Sequence, residues 1–341
     1  MTSFEQARCW FARSGIQETS GGVARYYRSD QCRNAAVSNE ITGYAASSFV
    51  YFGDLDAARR AAAYLRDCAW SAPSSTFPFE PGSPLAYFFD VGIMARGLFA
   101  AARATGDASF RDRAREAALS LAFDFLGDGA FHPVIELPAK QPLAYERRWS
   151  RSPGCYQLKA ALAWREAGDE QAARLFEAAL AQSLAMHQSF LDCEPDREKL
   201  MDRLHAYCYF LEGLLAAADR PEPRAVLESG IARVAALWRE ISPQFERSDV
   251  CAQLLRLRLI AHRACDLALD ESAAREEAER VASYQSFDSD PRLHGGFWFG
   301  KKGGALLPFM NPVSTAFAAQ ALALWEQHSS GRWNFSVEQL I

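Results

Sequence analysis

Thr105-Gly106-Asp107 stands between two alanine-rich stretches, 84–104 and 107–126. The same word returns as Phe52-Gly53-Asp54 and Ala167-Gly168-Asp169, with weaker copies ending at Asp219 and Asp270. Glycine closes a helix in the left-handed region and aspartate caps the start of the next, so each copy reads as the tight turn of a helical hairpin. The outer starts fall at 54, 107, 169, 219 and 270. That is a period of about 50 residues, the length of one hairpin plus a long return loop.

The segments that follow each Asp, roughly 54–70, 107–126, 169–188, 223–241 and 270–285, are rich in Ala, Arg and Glu. They carry a single apolar stripe, such as Leu55, Ala58, Ala62 and Leu65, and are expected to be outer helices. The segments before each Asp, roughly 39–52, 84–104, 152–167, 201–218 and 247–265, are expected to be inner helices. A sixth inner helix starts after Asn311-Pro312, a good cap and first-turn pair, and its outer partner is the amphipathic segment 4–13. The sequence therefore predicts an all-α fold of twelve helices, six hairpins closed into an (α/α)6 toroid, with 1–341 as one domain.

Composition agrees with a large core, since 49% of the 341 residues are hydrophobic. The net charge of −5 is spread along the chain, which argues against a nucleic-acid partner. No run of eighteen apolar residues reads as a membrane span. The eight cysteines, Cys9, Cys32, Cys68, Cys155, Cys193, Cys208, Cys251 and Cys265, form no C-x-x-C pair. They read as reduced thiols of a cytoplasmic protein, not as a zinc site, and no metal or cofactor is expected. Neither a G-x-S-x-G elbow nor a P-loop or dinucleotide fingerprint occurs. No sequence feature sets an oligomeric state.

The return loops 14–37, 71–83, 127–151, 189–200 and 286–310 hold most of the glycine, proline and aromatic residues, and 130–149 reads as a β-hairpin. In a ring these loops gather at the rim where the inner helices begin, so that rim is the expected site. Five clusters lie there. Glu40, Tyr44 and Ser47 share one face of the first inner helix, a stripe suited to a sugar, unless Glu40 only serves the helix dipole beside Ser38 and Asn39. Asp90, among Tyr87, Phe88, Phe89 and Val91, is a carboxylate in apolar surroundings, which raises its pKa as a general acid requires. The alternative is an Asp bonded to a loop or paired with Arg96.

Asp202, His205, Tyr209 and Glu212 repeat at helical spacing, and His205 is the best placed of the six histidines. Asp249 and Gln253 lie one turn apart with Arg256 nearby, able either to bind hydroxyl groups or to tie down a loop. Last come His294-Gly295-Gly296-Phe297-Trp298 and Asn311-Pro312-Val313-Ser314-Thr315, a rim with Trp298 as a stacking floor or a loop that seals the ring.

The words Gly21-Gly22, Glu40-Ile41-Thr42-Gly43-Tyr44, Phe89-Asp90-Val91-Gly92 and Asn311-Pro312-Val313-Ser314-Thr315 resemble segments of bacterial six-hairpin glycosidase-like proteins, some of which accompany polysaccharide biosynthesis. The resemblance implies a carbohydrate cleft at one rim, with Glu40 and Asp90 at the acidic positions of early inner helices. The chain departs from sugar-epimerase toroids in lacking their His-rich late-helix words. It also lacks the Asp-Asp-x-x-Asp and Asp-x-Asp-Asp motifs of terpene-type cyclases. The expected function is glycoside hydrolysis by two carboxylates, with Asp90 as acid and Glu40 as partner. Tyr44, Tyr87, Tyr209, Asp249, Gln253, His294, Trp298 and Asn311 are the candidate sugar contacts, with His205 beside them. Two other readings remain open. One is an epimerase or lyase in which His205 and a Tyr take a carbon-bound proton, with Arg25, Arg147 or Arg148 on a carboxylate. The other is a non-catalytic toroid that binds a glycan or a protein.

Overall fold

The structure, a computed structural model, describes residues 1–127 and 129–341. Among them are twelve α-helices: α1 (Ser3–Arg13), α2 (Asn39–Phe52), α3 (Leu55–Tyr64), α4 (Phe88–Thr105), α5 (Ala108–Phe123), α6 (Gln157–Ala167), α7 (Glu170–Asp192), α8 (Arg197–Leu214), α9 (Pro221–Ile241), α10 (Ser248–Cys265), α11 (Glu271–Ala282) and α12 (Pro312–Ser329). The Gly-Asp words make the turns they predict. Gly53, Gly106 and Gly168 sit at φ of 75°, 74° and 77°, which only glycine adopts without strain. Asp54, Asp169 and Asp270 then accept the backbone N–H three residues on at 3.0, 2.8 and 3.0 Å, and Asp107 accepts that of Ser109 at 2.9 Å.

The weaker copies turn differently. After α8 a 3-10 turn, Leu215–Ala217, leads into α9, which starts with Pro221 at its first position rather than on an aspartate cap. Asp266 itself takes the left-handed conformation that ends α10.

Two boundaries shift for a physical reason. Leu85–Tyr87 is expected to be helical, yet it forms a strand paired with Val134–Glu136. The Pro84 carbonyl takes the Leu137 N–H at 2.7 Å, which draws the segment into the sheet before α4 can begin. Val134–Glu136 also pairs with Gln141–Pro142, so the hairpin expected over 130–149 exists over a shorter span. Outer helix 54–70 ends in a π turn, Leu65–Ala69.

The chain packs as two compact units, 1–16 with 25–35 and 191–341, and 17–24 with 36–190. In the second, fourteen of the eighteen residues of α4 are buried against seven of the sixteen of α5, which separates an inner from an outer helix. In the first, α10 and α11 divide in the same way, with fourteen of eighteen against five of twelve. Among the described residues no helix is long and apolar enough to cross a membrane.

Candidate functional site

In the unit that holds 36–190, glycines set how closely α2 and α4 approach. A Cβ added to Gly43 would meet Met94 Cα at 2.9 Å, and one added to Gly97 would meet the Gly43 carbonyl oxygen at 2.4 Å. The helix backbones touch here. At about 100° per residue, Asp90 lies about 20° around α4 from Gly97, so its side chain leaves the helix on the side turned to α2. Glu40 precedes Gly43 by three residues on α2, and Asp90 precedes Ile93 by three on α4, while a Cβ added to Gly43 would also meet the Ile93 carbonyl carbon at 3.1 Å. Two first-turn carboxylates therefore face a shared seam.

Ser38 caps α2, with its Oγ accepting the Ile41 N–H at 3.5 Å, and Asn39 is tied to the Pro78 carbonyl at 3.0 Å and the Tyr64 hydroxyl at 3.2 Å. Helix capping thus falls to Ser38, and Glu40 stands in the first turn, where the helix dipole also favours a carboxylate. Glu40, Ser47 and Tyr51 are half-buried on an otherwise mostly buried helix, and Tyr44 shares their face, as the spacing predicts. Asp90 is 7% exposed, with Phe88, Phe89 and Val91 buried beside it. Arg96, weighed as its partner, donates from Nε to Glu166 at 2.7 Å, and Arg103 holds the other oxygen of that carboxylate at 2.9 Å.

Lys159, fully buried on α6, was not singled out in the sequence. Its Nζ lies 5.1 Å from the centroid of the Tyr44 ring, so the side chain reaches from α6 to α2 past α4. The available signal was one lysine inside Gln157-Leu158-Lys159-Ala160-Ala161-Leu162-Ala163. Tyr87 sits on its strand, where its hydroxyl accepts from Arg151 Nε at 3.2 Å and its ring packs on Phe79.

In the unit that holds 191–341, the polar stripes of α8 and α10 meet. His205 Nδ1 lies 2.7 Å from Gln253 Oε1 and 3.7 Å from Asp249 Oδ2, while its Nε2 lies 2.7 Å from the Tyr209 hydroxyl. The short contact is the hydrogen bond; at 3.7 Å the carboxylate acts on the ring through its charge. Asp249 is occupied elsewhere: Arg247 grips both its oxygens, at 3.0 and 2.7 Å, and reaches Asp202 at 2.8 Å. Burial and then the Arg247 cation push the His205 pKa down to about 4, so the imidazole is neutral near pH 7. Burial works to raise Asp249, but Arg247 outweighs it and holds the carboxyl below its ordinary value.

One turn deeper, Glu212 and Arg256 form an ion pair with no solvent exposure, and Arg256 stacks on Phe317, 3.9 Å from the ring centroid. His205, Tyr209, Asp249 and Gln253 are thus brought together as one cluster.

The rim residues of the same unit divide. Trp298 is half-buried and bridges Met310, with its carbonyl accepting from Ser248 Oγ at 2.7 Å. Asn311 caps α12, accepting from Val313 and Ser314, which accounts for its place in the sequence word. His294 sits exposed on a turn, its Nδ1 2.9 Å from the Asp288 carbonyl, and the adjacent Gly295 lies against the backbone of α1 at Gln6. That turn belongs with an outer helix.

No protein-family model matches the chain, and no curated protein does. Solved structures do match. A cellobiose 2-epimerase from Spirochaeta thermophila is similar at 13% identity, with a TM-score of 0.70 over 96% of this chain and 97% of that one. An alpha-amylase from Clostridium perfringens matches at 11% identity and a TM-score of 0.67, over 95% and 98%. A glycoside hydrolase family 76 mannosidase from Bacteroides thetaiotaomicron matches at 10% identity and 0.65, over 97% and 100%. At these identities the likeness establishes the fold, the six-hairpin (α/α)6 barrel of glycosidase-like proteins that the repeat predicts.

Proposed function

We propose that the chain is a carbohydrate-active enzyme that hydrolyses a glycosidic bond of an oligo- or polysaccharide, acting as one domain over 1–341. Asp90 serves as general acid and Glu40 as its carboxylate partner. The observation that supports this reading is the close approach of α2 and α4 at Gly43 and Gly97, because Glu40 and Asp90 stand in the first turns of these two helices. Asp90 is the more buried of the two, and burial favours the protonated form that an acid needs. Glu40 keeps some exposure, as a group that meets water or sugar must. Tyr44 and Tyr87 supply aromatic surface in the same unit. The hydrolases among the structural neighbours support the class of reaction. The eight free thiols fit a reducing compartment, in which we place the protein as cytoplasmic.

A second reading rests on the other cluster. The contact of 2.7 Å between Tyr209 and His205 suits proton transfer to and from a sugar carbon, as an epimerase or lyase requires. The epimerases among the neighbours favour it. One screen separates the two: purified protein with diverse oligosaccharides and uronic-acid polymers, read by mass spectrometry. Gain of water by the products supports hydrolysis. Products with eliminated bonds, or solvent deuterium taken up without cleavage, support the second reading. Binding with no change of any kind would overturn both and leave a glycan-binding protein.

A further inference from the structure

His205 has two candidate partners for Nδ1, an amide oxygen at 2.7 Å and a carboxylate oxygen at 3.7 Å. A carboxylate is the stronger acceptor for an imidazole N–H, so the choice of the amide needs a cause. Arg247 is that cause. Its guanidinium takes both oxygens of Asp249 and is itself held from the far side by Asp202, whose side chain is 45% exposed. The Arg247 face rests on the Phe299 ring, 4.8 Å from its centroid, which fixes the fork in one plane. Gln253 Oε1 can only accept, so His205 carries its proton on Nδ1 and presents the Nε2 lone pair to the Tyr209 O–H.

Gln253 Nε2 is fully buried and has no hydrogen-bond partner among the described residues, so the amide holds a donor in reserve beside this pair. A sugar hydroxyl oxygen is an acceptor of the right kind.

We propose that Arg247 is a positioning residue. By sequestering Asp249 it hands His205 to Gln253 and so builds a directed relay, Tyr209 O–H to His205 Nε2, with the Gln253 amide as a donor for a ligand hydroxyl. The step balances. When the Tyr209 oxygen takes a proton from a sugar, the phenolic proton passes to Nε2, and the imidazolium so formed keeps its Nδ1–H on Gln253 with Asp249 near by. The chemistry rests on the second reading above; the arrangement does not. The charged and titratable groups that bear on His205 are Arg247 and Asp249 from the segment that begins α10, Asp202, Tyr209 and Glu212 on its own helix, and Arg256 behind Glu212.

The test is proton–nitrogen correlation NMR on histidine-labelled protein, with His205→Asn to assign the signal. In the unaltered chain His205 should appear as the Nδ1–H tautomer and stay neutral to below pH 5. Arg247→Met should release Asp249 to the ring and raise its proton affinity about ten- to a thousandfold, the effect of a carboxylate left within a few ångströms. Asp249→Asn should leave the Nδ1–H tautomer in place, because Gln253 holds it. That variant keeps the proposal testable if Arg247→Met does not fold. An Nε2–H tautomer in the unaltered chain, a tautomer that flips in Asp249→Asn, or a folded Arg247→Met with unchanged titration would each overturn the proposal. None of these readings depends on turnover, so a failure to find epimerase activity would remain a separate result.

Discussion

Gly97→Ala tests the seam on which the hydrolase reading stands, because two opposing terms decide its sign. Alanine is better than glycine inside a helix by about 1 kcal/mol, so propensity alone predicts a more stable protein. The new Cβ would sit 2.4 Å from the Gly43 carbonyl oxygen and 3.0 Å from its carbon, whereas ordinary contact begins at 3.4 Å. The difference, 3.4 less 2.4, requires α2 and α4 to part by about 1 Å, and neither atom belongs to a side chain that can rotate away. Overpacking of this kind costs about 1–3 kcal/mol, so the net expectation is a loss of about 0–2 kcal/mol.

Gly230→Ala on α9 is the control. There the Cβ meets Leu211 Cδ2 at 2.5 Å, the end of a flexible side chain, and the cost should fall near zero. Urea titration reads both as shifts in midpoint at constant slope. Parting the helices by about 1 Å would displace Glu40 and Asp90 on a similar scale, and displacement of that size lowers turnover by about a hundredfold. A Gly97→Ala protein more stable than its parent would refute the contact. One that is destabilised but turns over normally would refute the catalytic pair.

Three further outcomes follow from the same geometry. Asp90→Asn and Glu40→Gln should each lower turnover by about 10²–10⁴-fold with unchanged circular dichroism; a folded pair of variants with full turnover sinks the assignment. Arg256→Met should cost about 3–5 kcal/mol in urea titration by stranding Glu212, and adding Glu212→Leu should recover most of it; no recovery would mean the pair is not the source of the loss. Stability against pH carries two slopes of opposite sign. His205, pushed down to about 4 from 6.5, contributes stability that is present above 6.5 and lost as pH falls through 4, about 3 kcal/mol in all. Glu277, raised by burial to about 7 from 4.5, contributes stability that is present below 4.5 and lost as pH rises through 7. The two nearly cancel between pH 4.5 and 6.5. Glu277→Gln should therefore uncover a stability that rises with pH there, and His205→Asn one that falls; flat curves in both variants would refute the assignment.

What the sequence made legible was whatever depends on neighbours within a turn or two. Gly-Asp words specify a left-handed stop and a cap without help from distant chain, so the hairpins and their ends could be read directly. Helical spacing likewise placed Glu40 with Tyr44, and His205 with Tyr209. Partnerships across helices were not legible. Arg96 donates to Glu166, seventy residues away on another helix. Leu85–Tyr87 became a strand because a partner arrived from 134–136, which no local pattern announces. Lys159 escaped notice because a lysine in an alanine-rich helix usually faces water, and only the packing of α6 shows that this one is buried.

The stripes on α8 and α10 argue about selection as well as structure. Asp202, His205 and Glu212 find partners on the α10 segment at Arg247, Gln253 and Arg256, separations of 45, 48 and 44 residues, so the two stripes pair in the same order along the chain. The same α10 fills its other faces with Leu254, Leu255, Leu257 and Leu259, all fully buried. Leucine was therefore available to this helix, and apolar replacement of a buried ion pair of similar volume is commonly neutral or stabilising. A core chosen for stability alone would have carried leucine on the polar stripe too. The retained cost of desolvating Asp249, Gln253 and Arg256 is better explained by what the stripe holds in place, a neutral histidine with one fixed tautomer in a buried polar seam. Stability rising while His205 keeps its Nδ1–H on Gln253 is accordingly the expected signature of a variant that replaces Arg247, Asp249 and Asp202 together with apolar side chains.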